Sequence, residues 1–344
     1  IRGFMLAMIW LSLSVHSAAS DDDLRDAIDD LITEDRYAEV ALWIDGELYT
    51  GTNVPARDER VFVLASVSKA VLSVALMQMH GRGVLNIDDR LDMWLPEDIL
   101  ALVDGLHKVT IAQLLTMRSG LPEYLNRRFY DAWFAGDQRT RTPIGALSFA
   151  KSLPVVFQPD EAFEYTNTNY LLAQLVLEVA SGQTMSAYFE SEIFAPAGMF
   201  NTDLLGFQSD ENDLLPGYED VTDRGQQERV DHLYDGQGFG DGGLTTRAED
   251  VVKFYKALLV DRTLLGRSAL RRLLKPGPDE NYAMGLVVEG RPGDRVISHG
   301  GAFIGYVSNA IYVEGENVIG ASLIADARGD AALLIDETLR TILE

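Results

Sequence analysis

The sequence predicts an α+β protein in which an antiparallel sheet is built from both chain ends, flanked by helices, and carries an inserted, mostly helical lobe. Strand-like alternation occurs near both ends of the chain, whereas helical periodicity dominates the middle. The length of 344 residues, 47% of them hydrophobic, allows one large core. We therefore expect a single domain over 20–344, with an α/β lobe of 20–80 and 280–344 and a helical lobe of 81–279.

The N-terminal part of the predicted fold is a helix, a hairpin and a second, buried helix. Leucine and isoleucine at helical spacing predict a helix over Asp21–Glu34. Strand patterns over Ala38–Ile44 and Glu47–Gly51 flank Asp45-Gly46, a dipeptide typical of two-residue hairpin turns. Ser66–His80 is apolar on all sides, which indicates a helix buried in the core.

After the buried helix, the middle of the chain is mostly helical and the C-terminal part contains most of the remaining strands. Residues 201–243 show little periodicity and many acidic side chains, so we predict a long loop region there. Helices are predicted over Thr110–Met117, Ile144–Leu153, Thr168–Ala180, Met185–Phe194, Ala248–Leu259 and Ala331–Leu343. Strands are predicted over Ala283–Val288, Arg295–Ser298, Tyr306–Val313 and Val318–Ala325.

The first residues have the pattern of a secretory signal peptide. Arg2 precedes an apolar run over Phe4–Val15, and small residues over Ser17–Ala19 lead into an acidic segment. We predict a signal peptide over 1–19 and a periplasmic or secreted location. Because the apolar run is short for a bilayer and no second one follows, we expect no membrane-spanning segment.

Composition limits the possible chemistry and partners. The chain has no cysteine, which excludes disulfides, thiol catalysis and thiolate metal sites. Its formal net charge of −24 repels nucleic acid and anionic membranes. We expect no nucleic-acid partner; a small-molecule or peptide substrate is the expected partner, and composition leaves the oligomeric state open.

Ser66 and Lys69 form the first candidate catalytic pair. They are three residues apart at the start of a helix, so they lie on one face. A lysine inside a buried helix is penalised for its charge, which makes it a plausible proton acceptor for the serine hydroxyl. Free N–H groups at the helix start favour a developing anion. The alternative is an N-capping serine beside a lysine that extends to solvent.

Two further segments could face Ser66. Tyr165 and Asn167 stand at a loop-to-helix junction, where a phenol can relay a proton and an amide can hold a carbonyl or a lysine. Turn formation and N-capping are the alternative. His299, Gly301 and Ala302 stand at the end of a predicted strand, and the Ala302 and Ser66 N–H groups would form a two-donor oxyanion hole. A hairpin turn with a surface histidine is the alternative there.

In this order the three motifs, S-x-x-K, Y-x-N and H-x-G, resemble the serine β-lactamase and penicillin-binding-protein superfamily. The chain is most similar to the branch with class C β-lactamases, D-Ala-D-Ala carboxypeptidases, esterases and D-aminopeptidases. Further segments that resemble this branch are Val109–Thr116, Ser119–Leu121 and Gly242–Leu244.

The resemblance implies a role for each motif residue. Ser66 would be the acyl-accepting nucleophile, and Lys69 with Tyr165 would be the general base and proton relay. Asn167 would position the acyl amide and Lys69. The remaining substrate-binding residues would be His299, Gly301, which keeps the strand edge open, and Ala302, which completes the oxyanion hole. The resemblance implies no metal and no cofactor.

The third motif departs from the Lys-Thr-Gly that class C β-lactamases usually carry. Histidine is largely neutral at pH 7, and Gly300 lacks a hydroxyl to hold a substrate carboxylate. Losing such a hydrogen bond weakens recognition by about tenfold to a hundredfold. We therefore expect an exported acyl-enzyme hydrolase, either a D,D-carboxypeptidase-like or D-aminopeptidase-like peptidase or a small-ester esterase.

Three alternatives remain from the sequence. A true β-lactamase would use the same residues on a β-lactam substrate. A penicillin sensor or cell-wall-binding protein would be acylated without turnover. A Ser-His-Asp hydrolase is disfavoured because no serine lies in a G-x-S-x-G segment.

Overall fold

The computed structural model describes residues 26, 28–32, 36–206, 213–222, 224–234, 238–278 and 280–343. Its strands are, in chain order, β1 (Ala38–Ile44), β2 (Glu47–Thr52), β3 (Phe62–Val63), β4 (Asp203–Leu204), β5 (Tyr218–Glu219), β6 (Glu228–Arg229), β7 (Leu244–Thr246), β8 (Val287–Arg291), β9 (Asp294–Phe303), β10 (Tyr306–Val313) and β11 (Val318–Ile324). Its helices are α1 (Ser68–Gly81), α2 (Glu97–Leu100), α3 (Ile111–Leu115), α4 (Arg127–Phe134), α5 (Pro143–Leu147), α6 (Thr168–Ser181), α7 (Met185–Phe189), α8 (Ala195–Ala197), α9 (Ala248–Tyr255), α10 (Arg267–Leu273) and α11 (Ala331–Leu343).

A six-stranded antiparallel sheet joins the two ends of the chain in the order β2-β1-β11-β10-β9-β8. β1 and β11 pair with Ala41 opposite Ala321, and every residue of both strands is buried. Strands buried on both faces require cover on both sides. α11 packs on one face against β1, β10 and β11, and α9 packs on the same strands. This confirms the predicted fold class.

α1 is the central helix of the molecule. Its residues from Ser68 to Met79 are all buried, as the apolar sequence predicts. Lys69 is the one fixed charge in this helix and is fully buried. α1 packs against α6 and α10, so Lys69 is held inside the core next to the inserted helices.

Several predicted boundaries were wrong for local reasons. The strand predicted over Ala283–Val288 begins only at Val287, because Gly285 adopts a φ of 71° and lies against the backbone of Lys69. β9 runs to Phe303 instead of ending at Ser298, so the third motif lies within a strand. α4 was not predicted; Asn126 caps it by accepting hydrogen bonds from the N–H groups of its second and third residues.

Some predictions fall partly or wholly outside the described residues. The signal peptide lies outside them, and of the Asp21–Glu34 helix only residues 26 and 28–31 are described as helical. The described parts of 201–243 are mostly irregular, with the short strands β4, β5 and β6. The division into lobes stays a prediction. In the described part of the chain, no helix is long and apolar enough to cross a membrane.

Candidate active site

Ser66 lies in a strained turn between β3 and α1. A 3-10 turn over Ala65–Val67 leads into the helix, and Ala65 adopts a φ of 51°. This left-handed conformation costs a non-glycine residue about 1–2 kcal/mol. Neighbouring groups hold the turn: Leu64 N–H donates to the Leu244 carbonyl at 2.8 Å, and Ser308 Oγ donates to the Leu64 carbonyl at 2.7 Å. The serine is therefore fixed before any substrate binds.

Gly301 lets β9 lie directly against this turn. A Cβ atom at Gly301 would stand 2.7 Å from the Leu64 carbonyl oxygen and 3.0 Å from the Ser66 nitrogen. Only glycine fits such a close approach of two backbones. β8 pairs with β9 only as far as Ser298, so the later part of β9 has an edge that β8 does not cover. Ala302, in that part, lines the same cavity as Ser66.

Lys69 is hydrogen-bonded in the way a general base requires. Its Nζ is 3.0 Å from Ser66 Oγ and 2.8 Å from Asn167 Oδ1, and it also donates to the backbone oxygen of Asp241. The last two oxygens can only accept, so they hold two N–H groups of the amine. In the neutral amine the lone pair then faces the Ser66 hydroxyl, which is the geometry for removing its proton.

Glu123 fixes the orientation of Asn167. One carboxylate oxygen, Oε2, accepts both the backbone N–H of Asn167 at 2.9 Å and its side-chain Nδ2 at 3.0 Å. Glu123 Oε1 accepts the Leu125 N–H at 2.9 Å. A flipped amide would turn its oxygen toward the carboxylate and its NH₂ toward Lys69, and both contacts would be unfavourable. The carboxylate therefore keeps Asn167 Oδ1 directed at Lys69.

Asp241 adds a second carboxyl group to the site. Its side chain is buried and its Oδ2 accepts a hydrogen bond from the Tyr124 hydroxyl at 2.8 Å. Burial raises the pKa of Asp241, while the nearby Lys69 opposes this shift. Burial also raises the pKa of Glu123, and the charge of Asp241 adds to it. Both carboxyl groups line the cavity in front of Ser66.

Sequence reasoning missed both acids. Glu123 lies just after Ser119–Leu121 and Asp241 just before Gly242–Leu244, two segments whose only signal in the sequence is the family resemblance. Only the fold brings them beside Lys69.

Tyr165 is brought to the site with its ring toward Lys69. The Lys69 Nζ is 5.1 Å from the ring centroid, and the Tyr165 ring packs edge-on against Tyr282 at 5.9 Å. Tyr165 and Asn167 both line the cavity with Ser66. Among the described residues, no hydrogen bond joins the Tyr165 hydroxyl to Ser66 or Lys69. Its part in a proton relay stays a prediction.

His299 is buried behind the cavity. Its Nδ1 is 2.6 Å from the Gly300 carbonyl oxygen, which can only accept, so Nδ1 carries the proton. Its Nε2 then accepts from the Tyr282 hydroxyl at 3.2 Å. Burial, helped by the charge of Lys69, lowers the pKa of His299 to about 4. The ring is neutral at pH 7 and is absent from the cavity wall, so His299 offers a substrate no positive charge.

The cavity in front of Ser66 has a volume of about 260 Å³. Its polar lining combines the predicted residues Ser66, Tyr165 and Asn167 with the two carboxyl groups, and much of the rest is aromatic. None of the described residues that line it is a lysine or an arginine. The wall formed by these residues is therefore acidic and apolar, and the buried Lys69 is not part of it.

This fold, with a serine and a lysine one turn apart facing a Tyr-x-Asn segment, defines a serine hydrolase of the S-x-x-K type. The chain belongs to the Beta-lactamase family, whose model matches residues 26–341. The resemblance inferred from the motifs is confirmed, and the predicted class of enzyme agrees with relatives that are a D-aminopeptidase and an esterase.

Curated relatives include a penicillin-binding protein of Bacillus subtilis strain 168, 28% identical over 268 residues, which cover 73% of this chain and 58% of the relative. A D-aminopeptidase of Brucella anthropi is 27% identical over 264 residues, covering 74% of this chain and 48% of that protein. The chain thus spans about half to three fifths of the length of these relatives.

Solved structures share the fold. A D-stereospecific amidohydrolase from a Streptomyces species superimposes with a TM-score of 0.80 at 23% identity, covering 93% of this chain and 98% of that one. A D-amino acid amidase from Ochrobactrum anthropi SV3, crystallised with L-phenylalanine amide, gives a TM-score of 0.76 at 20% identity, covering 94% and 98%.

Proposed function

We propose that the chain is an exported hydrolase that forms an acyl-enzyme on Ser66 and acts on amides, peptides or esters in the manner of the D-aminopeptidase, amidase and esterase relatives. The observation that carries this proposal is the placement of the Lys69 Nζ, 3.0 Å from Ser66 Oγ with its other N–H groups held by fixed acceptors. The N-terminal sequence pattern supports export.

The proposed reaction gives each of these side chains a step. Ser66 Oγ attacks the substrate carbonyl carbon while Lys69 Nζ accepts the hydroxyl proton. The N–H groups of Ser66 and Ala302 stabilise the oxyanion. Collapse of the intermediate expels the amine or alcohol, which takes the proton from Lys69 by way of Tyr165. Water then adds to the acyl carbon and gives a proton to Lys69. Collapse of this second intermediate breaks the bond to Ser66 Oγ, which takes the proton back from Lys69, and the acid leaves.

The charge of the cavity favours neutral or cationic substrates. Glu123 accepts three N–H groups and donates none, which is the pattern of a carboxylate. A carboxylate of the substrate beside the scissile bond would meet this charge, with no lysine or arginine among the described lining residues to balance it. A protonated amine on the acyl group would be attracted. This supports an aminopeptidase, amidase or esterase over a D,D-carboxypeptidase or β-lactamase.

A panel of substrates tests the proposal. Purified protein and its Ser66→Ala variant are assayed with D-alanine p-nitroanilide, its N-acetyl derivative, p-nitrophenyl acetate, a D-Ala-D-Ala peptide and nitrocefin. We expect turnover of the free amine to exceed that of the N-acetyl derivative at least tenfold, all of it dependent on Ser66. Faster hydrolysis of nitrocefin or of the D-Ala-D-Ala peptide would instead assign a β-lactamase or carboxypeptidase.

A penicillin sensor or cell-wall-binding protein is the alternative of another class. It would keep the label of a fluorescent penicillin for hours, and none of the substrates in the panel would turn over. A hydrolase would lose the label or never retain it, so an electrophoresis gel separates the two.

A further inference from the structure

We propose that Arg118 and Glu280 form an ion pair, here called the 118–280 clamp, that positions Tyr165 for the reaction from outside the cavity. Both side chains are nearly buried, 9% and 14% exposed, and Arg118 Nη1 donates to Glu280 Oε1 at 2.9 Å. Neither residue is among the described residues that line the cavity in front of Ser66. This inference rests on the proposed function and names residues that hold its proton relay in place.

Arg118 fixes the turn that leads into the Tyr165 segment. Its Nη2 donates to the Asp160 carbonyl at 2.6 Å, and its own carbonyl accepts the Asp160 N–H at 2.9 Å. Asp160 adopts a φ of 70°, a left-handed conformation that costs a non-glycine residue about 1–2 kcal/mol. Next to Arg118, the Met117 carbonyl accepts the Glu164 N–H at 3.0 Å. The two segments are therefore held together up to the residue before Tyr165.

Glu280 connects the clamp to Tyr282, two residues later in the chain. The Gly277 N–H donates to the Tyr282 carbonyl at 3.1 Å, so residues on both sides of Glu280 are tied together. The Glu280 carboxylate lies against Gly277, where a Cβ atom would collide with it. Among the described residues, Arg118 is the one ion-pair partner of Glu280. The position of this carboxylate, and with it that of Tyr282, is therefore set by the guanidinium group.

Tyr282 is the contact through which the clamp reaches Tyr165. Its buried ring packs edge-on against Tyr165, with centroids 5.9 Å apart, and against Phe163 at 5.6 Å. Its hydroxyl is 3.2 Å from His299 Nε2, which holds the far end of the ring. The Lys69 Nζ is 5.1 Å from the centroid of the Tyr165 ring, so a shift of Tyr282 would move the phenol relative to the amine.

The clamp joins segments that the sequence places far apart, since Arg118 and Glu280 are separated by 162 residues. Replacing a nearly buried ion pair by apolar residues is often neutral for stability, so stability alone does not account for such a pair. What the clamp fixes is the distance between the segment that carries Tyr165 and the residues that pack on its ring. A misplacement of about 1 Å at a reacting group lowers rates by as much as about 10²-fold.

A double-mutant cycle tests the clamp, with p-nitrophenyl acetate as the substrate. Glu280→Ala leaves Arg118 one acceptor short and should lower kcat about tenfold, with KM changed by less than about twofold. Glu280→Gln still offers Arg118 an oxygen and should lose less. The control is Glu289→Ala in β8, at an exposed glutamate whose one hydrogen bond, from Asn281, is also exposed; it should leave kcat unchanged.

The second half of the cycle places Glu280→Ala in the Tyr165→Phe protein. If the clamp acts through the phenol, kcat of the double variant should equal that of Tyr165→Phe within about twofold. A normal kcat in folded Glu280→Ala, or an equal fall in both backgrounds, would overturn the positioning role. If Glu280→Ala fails to fold, Glu280→Gln takes its place in the cycle. Turnover that persists in Ser66→Ala would refute the proposed acyl-enzyme, and the clamp with it.

Discussion

Replacing Glu123 by glutamine tests how Asn167 and Lys69 are held. Glutamine matches glutamate in size but has a single acceptor oxygen. Glu123 uses both oxygens, Oε1 for Leu125 N–H and Oε2 for the two N–H groups of Asn167. In the variant, an NH₂ group must face one of these donors. Either the Asn167 N–H groups face this NH₂, or they keep a neutral acceptor that binds them more weakly than a carboxylate does. Asn167 is then held less firmly, and so is the acceptor that Lys69 finds 2.8 Å away.

The expected loss follows from the contacts. A hydrogen bond to a charged group contributes about 1.5–3 kcal/mol. If that contribution is lost from the transition state alone, kcat falls about 10- to 150-fold. For p-nitrophenyl acetate, KM should change little because this substrate carries no amine to pair with the carboxylate. Burial raises the pKa of Glu123, so protonation of this carboxylate should contribute to the loss of rate at low pH. The glutamine variant should lack that contribution.

The assay compares kcat and KM for p-nitrophenyl acetate in Glu123→Gln and in Glu164→Gln, a matched change at an exposed glutamate near the same motif. Circular dichroism checks that both variants are folded. A folded Glu123→Gln protein with kcat within twofold of the unmodified protein would refute the positioning role. A rise in KM alone would assign Glu123 to binding.

Four further substitutions test other residues of the site. Lys69→Ala should lower kcat as much as Ser66→Ala does, because the pair acts as a unit. Tyr165→Phe should lower kcat about 10²-fold. A normal steady-state rate in either variant would remove that residue from catalysis. Gly301→Ala should destabilise the fold by about 1–3 kcal/mol and lower activity, because its Cβ would meet the Ser66 turn. A Cβ at Gly300 has room, so Gly300→Ala is the control. Equal melting temperatures for the two variants would contradict this prediction. The pKa of His299, about 4 when folded, lies below its unfolded value, so unfolding takes up a proton and stability falls as pH drops from about 6.5 toward 4. Between these two pH values, the unfolding free energy of the unmodified protein should fall by about 3 kcal/mol more than that of His299→Gln, as measured by urea unfolding. An equal fall in both proteins would refute this.

The sequence predicted features that depend on local pattern. The strands Ala38–Ile44 and Tyr306–Val313 and the helix Ala331–Leu343 were predicted with the observed bounds. Ser66 and Lys69 were recognisable because helical spacing alone brings them together. The extension of β9 was missed because His299-Gly300-Gly301 has the composition of a turn, and only pairing with β10 makes it a strand.

Features that depend on tertiary contacts could not be predicted in this way. Glu123 is 44 residues from Asn167, and Tyr124 is 117 residues from Asp241, so no spacing rule links them. Trp133 of α4 and Phe303 of β9 likewise come into contact only after folding. The sequence predicted a substrate-binding role for His299, but whether a ring is buried and neutral depends on its neighbours, here Tyr282 and Lys69.

The most direct test of the account is to identify the acylated residue. The purified protein is mixed with p-nitrophenyl acetate, quenched in acid within the first turnovers, and analysed by intact and peptide mass spectrometry. We predict one acetyl group on the peptide containing Ser66, lost on longer incubation as acetate is released and absent from Ser66→Ala. Turnover without any adduct in Ser66→Ala, at the rate of the unmodified protein, would contradict acyl-enzyme catalysis by this serine.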